Sequence, residues 1–315
     1  MNELYDINNS LPIVSVVTVN YNHSDVTCDM LESLFKITYP NIEVFVIDNG
    51  SPDDTPRKIK EQFPQIIYIE TGKNLGFAGA NNLGISKAQG KYILLLNNDT
   101  IVTPGFLEPL VEKMESDPSI GAVSPKIRFF YSPDTIQYAG LTPINPFTIR
   151  SRAIGFRETD SGQYENDTIT AYAHGAAMMT SLEIFKKVGL MSMAFFLYYE
   201  ELDWGFRIRK AGYKIYYVHN SLVFHKESIS TGKQSPLKTY YINRSRLLYM
   251  RRNVRGFKFI ISLFFQLFVS IPKNSFLYLF TGRLDLLRAY YKAIGWHIAK
   301  TLSNEIHTHP FLGNQ

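Results

Sequence analysis

Ile13–Asn22 reads IVSVVTVNYN. A β-branched apolar run this short, closed by the turn-forming Asn20-Tyr21-Asn22, is the pattern of a strand buried on both faces. Two downstream runs repeat it. Ile42–Ile47 ends in Asp48-Asn49-Gly50-Ser51, and Tyr92–Leu96 ends in Asn97-Asn98-Asp99. Between them, Asp25–Phe35 carries Val26, Met30 and Leu34 at helical spacing and is closed by Pro40-Asn41. Thr55–Phe63 and Gly79–Ala88 read as further helices, Ile66–Glu70 as another strand, and Pro104–Ser116 as a helix with proline in its first turn. Strands alternating with helices in this way predict an α/β fold with a mixed, mostly parallel sheet flanked by helices. Ligands of such sheets bind beyond the carboxyl ends of the strands. Asn20–Asn22, Asp48–Ser51 and Asn97–Asp99 are therefore predicted to ring one crevice.

Beyond Gly121 the periodicity loosens. Pro133–Asp167, rich in Pro, Thr, Ser and Gly, is predicted to form loops over the site. Thr170–Thr180 reads as a strand or strand–turn and Leu182–Val188 as a short helix. Tyr198–Gly212 reads as an amphipathic helix carrying Leu202, Phe206 and Ile208, followed by strands at Tyr213–Val218 and Leu222–Phe224. No internal repeat or low-complexity segment is visible.

A hydrophobic fraction of 45% with 19% charged residues is that of a folded chain and excludes disorder. The single cysteine, Cys28, excludes an internal disulfide and fits a reducing compartment. The opening MNELYDINNS has neither the basic nor the apolar region of a secretory signal, so none is expected, and the sequons at Asn8 and Asn98 carry no expectation of glycosylation. The net charge of +5 conceals a division. Met1–Trp204 carries fifteen Lys and Arg against twenty-five Asp and Glu, and the remaining residues eighteen against three. An acidic front half suits a metal and a polar site. A basic rear half suits an anionic surface, or is simply a solvated basic face. Its cations sit among Phe, Leu and Ile, which favours lipid headgroups over nucleic acid.

Asp99 stands at a strand tip beside Asn97 and Asn98. A carboxylate there suits a hard divalent cation on a diphosphate, and Asn-Asp is equally good turn chemistry. Asp48 divides the same way, between a turn-former and a hydrogen-bond acceptor for a nucleobase or ribose. Asn74–Asn82 (NLGFAGANN) is a glycine-containing loop before a helix, suited to close approach of a phosphate or ribose or to capping alone. It matches neither GxGxxG nor the Walker pattern. Tyr198–Trp204 (YYEELDW) sets three acids beside aromatic rings. These are either a first helical turn favoured by the helix dipole or a general base with neighbours that adjust its pKa. Only one or two of the three can face a site. His225 closes Leu222–Phe224, 24 residues after Glu201, as a structural group or a metal ligand. His174, with Gly175, offers a contact to acceptor or diphosphate.

The stretches VSVVTVNYN, VFVIDNGS, NLGFAGANN, LLLNNDT, HGAAMMTSLEIFKKVG, FFLYYEELDWGFRIRKAGYKI and VFH follow one another between Val14 and His225. In that order they resemble family 2 glycosyltransferases, particularly the bacterial rhamnosyltransferase-like branch. The resemblance implies a GT-A fold, a Rossmann-like nucleotide-diphospho-sugar transferase, acting by inverting single displacement. It places the donor nucleotide on Asn20, Tyr21, Asn22, Asp48, Ser51, Asn74, Gly76, Asn81 and Asn98. Asp99 and His225 would hold Mg2+ or Mn2+ on the donor diphosphate. Glu201 would take the acceptor proton, with Glu200 and Asp203 as supporting acids, and His174, Gly175 and Trp204 would meet acceptor or diphosphate. The usual DxD motif is reduced here to Asn97-Asn98-Asp99, and Glu201 stands where many relatives carry Asp. The implied donor is a nucleotide-sugar, dTDP-L-rhamnose, used in cell-surface polysaccharide synthesis.

Phe257–Ile271 is apolar apart from Lys258, Ser262, Gln266 and Ser270, and meets Pro272. Roughly 20 apolar residues span a bilayer, so a crossing is not expected. Asn274–Phe280 adds a second apolar patch and Arg283–Lys300 a basic helix. Arg244, Arg246, Arg251, Arg252 and Arg255 lie just before them. Aromatic apolar faces edged with cations fit an interfacial helix, or a hairpin packed on the catalytic part. The expected organisation is a catalytic domain over 1–235, with a nucleotide half near 12–125 and an acceptor half near 126–235. A C-terminal helical, membrane-associating extension follows over 236–315. The expected partners are a nucleotide-sugar, a saccharide or polyprenyl-diphosphate-linked acceptor and an anionic membrane surface, with no nucleic acid, at the cytoplasmic face as a peripheral protein. A nucleotidyltransferase and a catalytically silent membrane-associated scaffold of the same fold are the competing readings. The NYNHSD segment lacks the Gly-rich, basic loop of the former.

Overall fold

The apolar runs form strands and the periodic segments between them form helices, in the order β1 (Val14–Asn20), α1 (Ser24–Leu34), β2 (Ile42–Asp48), α2 (Thr55–Gln62), β3 (Ile67–Glu70), α3 (Gly76–Lys87) and β4 (Tyr92–Leu96). There follow β5 (Thr100–Val102), α4 (Leu107–Ser116), β6 (Ile120–Phe129), β7 (Ser132–Tyr138), β8 (Thr168–Ile169), β9 (Ala177–Ser181), α5 (Leu182–Val188), α6 (Glu200–Lys210) and β10 (Lys214–His225). The computed structural model describes residues 11–52, 55–227 and 235–302. The opening decapeptide with its Asn8 sequon, and the end of the rear segment, lie outside the described residues.

One sheet runs β3-β2-β1-β4-β9-β6-β10-β5. Pairing is parallel from β3 through β4 and again between β6 and β10, with β9 and β5 antiparallel to their neighbours. Asn20 lies level with Asp48, and Asp48 with Glu70. The ends of β4, β6 and β10 point the same way, so the predicted crevice has a real edge. Adjacent residues of a strand face opposite sides. Val14, Val16 and Leu94 meet Met30, Leu31 and Leu34 of α1 and Leu107 and Leu110 of α4. Val17, Ile47 and Leu95 meet Ala78 and Ala80 of α3, Ile184 of α5 and Trp204 of α6. The result is a three-layer α/β/α body.

The looser region beyond Gly121 hides a central strand. β6 is buried along most of its length yet contains Pro125 and Lys126. Pro125 has no N–H to donate, and the β6–β10 ladder shifts register directly after the Val218–Pro125 pair. The buried Lys126 ammonium is 3.1 Å from Asp160 and 2.5 Å from Glu165, pairing that offsets its desolvation. The two strands expected at Tyr213–Val218 and Leu222–Phe224 are one uninterrupted strand, β10. The loops predicted over Pro133–Asp167 include β7 and bridges joining Leu141 to Ala153 and Asn145 to Arg150.

The rear segment departs from expectation in two ways. α7 (Pro236–Asn253) is capped by Ser235, whose hydroxyl accepts from the Lys238 amide at 3.1 Å, and is followed by α8 (Gly256–Phe265). Helix does not stop at Pro272. A π-turn at Gln266–Ser270 precedes it and α9 (Ile271–Phe280) continues, because the wider turn makes room for the proline ring and its missing donor. Gly256–Phe280 is thus a 25-residue helix, by length and composition long and apolar enough to cross a membrane. Its polarity is inverted. Ser262, Gln266 and Ser270 are buried against the protein, while Phe257, Phe264, Phe268 and Phe280 are 74%, 58%, 68% and 79% exposed.

The second departure concerns the arginines. Arg244 donates to the Phe195 carbonyl at 2.9 Å, Arg251 to the His297 carbonyl at 3.1 Å, and Arg252 to Asp203 at 3.4 Å. Arg244 and Arg252 thus hold α7 to the body and Arg251 holds it to the helix that carries His297, instead of facing outward. α10 (Leu284–Leu302) packs on α7 through buried Tyr290, Ala293 and His297, the hairpin arrangement in part.

Candidate active site

A cleft of about 1040 Å³ lies at the carboxyl edge of the sheet. Tyr21, Asn74, Gly76, Asn98, Asp99, His174, Gly175, Glu200, Glu201 and His225 all line it. Residues spread over two hundred positions are brought there by the parallel register.

The ends of β1 and β2 are tied into one polar network. The Asn20 amide donates to Asp48 at 2.8 Å while its oxygen accepts from Thr27 at 2.8 Å. The Ser51 amide and hydroxyl both donate to Asp48, at 3.0 and 2.7 Å, and the Asn22 amide donates to the Ser51 hydroxyl at 3.0 Å. Asn98 reaches the same Thr27 hydroxyl at 2.9 Å. Asp48, Asn20, Asn22 and Ser51 therefore form the floor under the cleft and do not line it. Asn49, which motif reading passed over as part of a turn, does line it. Its amide donates to Asn74 at 3.1 Å and its oxygen accepts from the Leu75 amide at 2.8 Å, stitching the glycine loop to β2.

Gly76 starts α3 at φ +72° with the Phe77 amide donating to the Phe196 carbonyl at 2.7 Å. A Cβ on Gly76 would lie 2.4 Å from that carbonyl oxygen, so glycine is required for the approach. Asn81, expected at the nucleotide, instead donates to the Phe77 carbonyl at 3.0 Å and is buried inside α3.

Asp99 and His225 meet at 3.0 Å, from opposite ends of the β4 turn and β10. The other ring nitrogen of His225 is 2.9 Å from Gln137 on β7, which fixes the ring plane. Gln137 could not be found from sequence because its strand read as loop. Among the described residues no group of three or more His, Cys, Asp or Glu could hold a metal ion. A single carboxylate and a single imidazole nevertheless fit a hard divalent cation that takes its remaining ligands from diphosphate oxygens and water, as Mg2+ does. His174 lies 6.1 Å from His225, centroid to centroid. Burial, and next the nearby His225, hold it down at about 3, so it is neutral. Its Nδ1 accepts from the Ala176 amide at 3.1 Å, which assigns the proton to Nε2.

The acidic turn is built under strain. Phe196, Tyr198 and Tyr199 have φ of 64°, 64° and 72°, unusual for bulky residues and costing about 1–2 kcal/mol each. Contacts with the rest of the body hold them. Tyr199 donates to the Ile149 carbonyl at 2.9 Å and accepts from Arg246 at 3.1 Å, Phe196 stacks on Tyr241 at 5.0 Å, and Ser245 donates to the Leu197 carbonyl at 2.9 Å. This clamp presents Glu200 and Glu201 at the start of α6. Burial raises Glu201 to about 7, against the opposing pull of the Glu201 and Leu202 amides. Glu200 is raised well above the ordinary carboxylate range by burial and then by the charge of Glu201. Glu201 is only partly buried and faces Gly175, where a Cβ would sit 3.6 Å from its Cγ.

Asp203 and Trp204 are not at the cleft, which corrects the expectation for both. One helical step turns Asp203 into a buried ion pair with Arg207 at 3.1 Å and a bond from Asn253 at 2.9 Å. Trp204 is core, stacked on Phe185 at 4.6 Å with its N–H donated to the Gly189 carbonyl at 2.9 Å.

Residues 15–189 match the family described as Glycosyl transferase family 2. The chain is 27% identical over 248 residues to an N-acetylglucosaminyl-diphospho-decaprenol L-rhamnosyltransferase of Mycobacterium tuberculosis, spanning 70% of this chain and 78% of that one. Among solved structures it resembles GalNAc-T7 with UDP, GalNAc and Mn2+ (TM-score 0.61, 19% identity, 76% of this chain and 48% of that one). It also resembles the mannosyltransferase PcManGT of Pyrobaculum calidifontis with GDP-Man and Mn2+ (TM-score 0.55, 20% identity, 93% and 76%). Both share the GT-A fold.

Proposed function

The chain belongs to glycosyl transferase family 2 and is a glycosyltransferase, and from that premise we propose that it moves one sugar from a nucleotide-diphosphate donor to a saccharide or lipid-linked acceptor. The observation that carries this reading is the gathering, in one cleft, of Asp99 and His225 with a carboxylate raised toward neutrality, Glu201. Tyr21, Asn49, Asn74 and Asn98 along the wall would receive base or ribose, held in place by the floor that Asp48 and its network form beneath them. Asp99 and His225 would hold Mg2+ or Mn2+, which offsets charge on the departing nucleoside diphosphate when bound. Glu201 takes the proton of an acceptor hydroxyl. The freed oxygen attacks the anomeric carbon from the face opposite the diphosphate, and inversion follows. A base poised near the working pH is matched to that task. Burial and the charge of Glu201 both favour the protonated form of Glu200 beside it, which limits the negative charge near the acceptor.

The relative's name supports L-rhamnose as the sugar and a diphospho-polyprenol as the acceptor class. The exposed phenylalanines of Gly256–Phe280 support a membrane surface as the place of action, and the basic rear half supports an anionic one. The cytoplasmic face belongs to this reading. The test is thermal stabilisation by a panel of nucleotide-sugars with and without Mn2+. Ligand at a hundredfold excess over Kd adds about 2.7 kcal/mol to stability, so one donor should raise the midpoint by several degrees in a metal-dependent way. No shift with any donor, with metal present, overturns the reading and favours a silent scaffold.

A further inference from the structure

A second cavity, of about 490 Å³, adjoins the cleft, and Arg150, Lys238 and Arg246 line both. Arg283 lines its far side with Leu277 of the apolar helix, and among the described residues that line it there is no Asp or Glu. Arg283 pairs at 2.8 Å with Asp285, which is not on the wall. The cleft next door has the opposite character, carrying Asp99, Glu200 and Glu201. Four cations, one of them paired with Asp285, gather on this concavity, and that excess of positive charge favours an anion there. Guanidinium forks match phosphate oxygens in pairs. The wall then leads outward past Leu277 to Phe276 and Phe280, 63% and 79% exposed.

We propose that this cavity binds the diphosphate of an isoprenoid-linked acceptor, apart from the donor's own diphosphate, with the sugar reaching into the cleft and the hydrocarbon leaving along Leu277. The assignment rests on the glycosyl-transfer reading and adds the place where the acceptor is held. Arg246 links the two sites. The guanidinium that lines the cavity also donates to Tyr199 in the strained turn ahead of Glu201, so an occupied cavity steadies the turn that presents the base.

The test uses the full-length chain in detergent micelles, with farnesyl diphosphate as probe and EDTA present to remove any metal-held diphosphate. Binding is compared with Arg283→Ala and Arg283→Glu, at an arginine that lines the second cavity and not the cleft, and Mn2+-dependent nucleotide binding is measured separately on all three proteins. Each variant should weaken farnesyl diphosphate at least tenfold, leave nucleotide affinity within twofold and keep the melting temperature. Farnesol should bind far more weakly than the diphosphate. Equal probe affinity in wild type and variants overturns the proposal, as does farnesol binding as tightly. Phosphatidylglycerol micelles that displace the probe in an arginine-dependent way also overturn it, assigning the cavity to a lipid headgroup. Loss of nucleotide binding in the wild type strikes the glycosyl-transfer reading instead, and the EDTA arm is unaffected by it.

Discussion

Glu201→Gln replaces one carboxylate oxygen with an amide nitrogen at nearly constant shape, so packing at the start of α6 is kept and the proton acceptor is lost. General base catalysis contributes about 10²–10⁴-fold, equivalent to about 2.7–5.4 kcal/mol of barrier at 1.36 kcal/mol per decade. Turnover should fall by that factor while affinity for donor and metal is unchanged. The wild type carries a second signature. A base raised to about 7 is ionised above that pH and protonated below it, so activity is present on the alkaline side and is lost on acidification. About one tenth of the base is ionised one pH unit below its pKa, so kcat/KM near pH 6 should be about a tenth of the plateau near pH 8. A carboxylate at its ordinary value would give a flat profile over that range. The assay is the initial rate of nucleoside diphosphate release from pH 5.5 to 8.5, with donor binding measured in parallel. More than a tenth of wild-type turnover in Glu201→Gln, or a flat wild-type profile, refutes the assignment. Glu200 and Glu201 together act on stability with a definite sign. The folded state retains protons that the unfolded chain has released, so stability declines as pH rises from the ordinary carboxylate range through the raised values. Glu200→Gln should flatten that decline.

Three further expectations follow from the packing. Gly76→Ala places a Cβ at 2.4 Å from the Phe196 carbonyl in a left-handed conformation, and should cost at least about 2 kcal/mol by denaturant melting, together with the donor-induced thermal shift. Asp203→Ala strips Arg207 and Arg252 of a buried partner, and should cost about 3–5 kcal/mol. Enzyme that remains folded should keep its pH profile, because Asp203 does not face the cleft. Phe264→Ser with Phe268→Ser removes two stacked, exposed rings. Melting should move by under about 0.5 kcal/mol, whereas binding to liposomes should weaken about a hundredfold if each ring contributes about 1.5 kcal/mol. Unchanged liposome binding removes the apolar helix from any membrane role.

The half of the fold that was legible is the half in which local pattern and tertiary role agree. β1, β2 and β4 are apolar runs with polar ends, and a parallel register of itself brings Asn20, Asp48 and Asp99 to one edge. β6 was hidden because its buried charges are satisfied by Asp160 and Glu165, which lie far along the chain. With β6 and β7 read as irregular, Gln137 and the support of His225 were hidden too. The acidic cluster could be located but not oriented. Which of Glu200, Glu201 and Asp203 faces the cleft is decided by the left-handed turn at Tyr198–Tyr199, and that turn is held by residues of α7 some fifty positions later. The continuation of the helix through Pro272 is not legible in composition, because a π-turn that accommodates proline leaves no mark there. The arginines of α7 looked like a surface charge run and are instead bonded to carbonyls and to Asp203.

The most direct test is chemical. The purified chain, Mn2+ and the donor that stabilises it are incubated with and without a diphosphate-linked lipid acceptor, and the nucleotide products are identified by mass spectrometry. A nucleoside diphosphate formed in step with a glycosylated acceptor, and absent with Asp99→Ala, is the predicted result. Release of pyrophosphate or a nucleoside monophosphate, or a yield that Asp99→Ala leaves intact, contradicts the account.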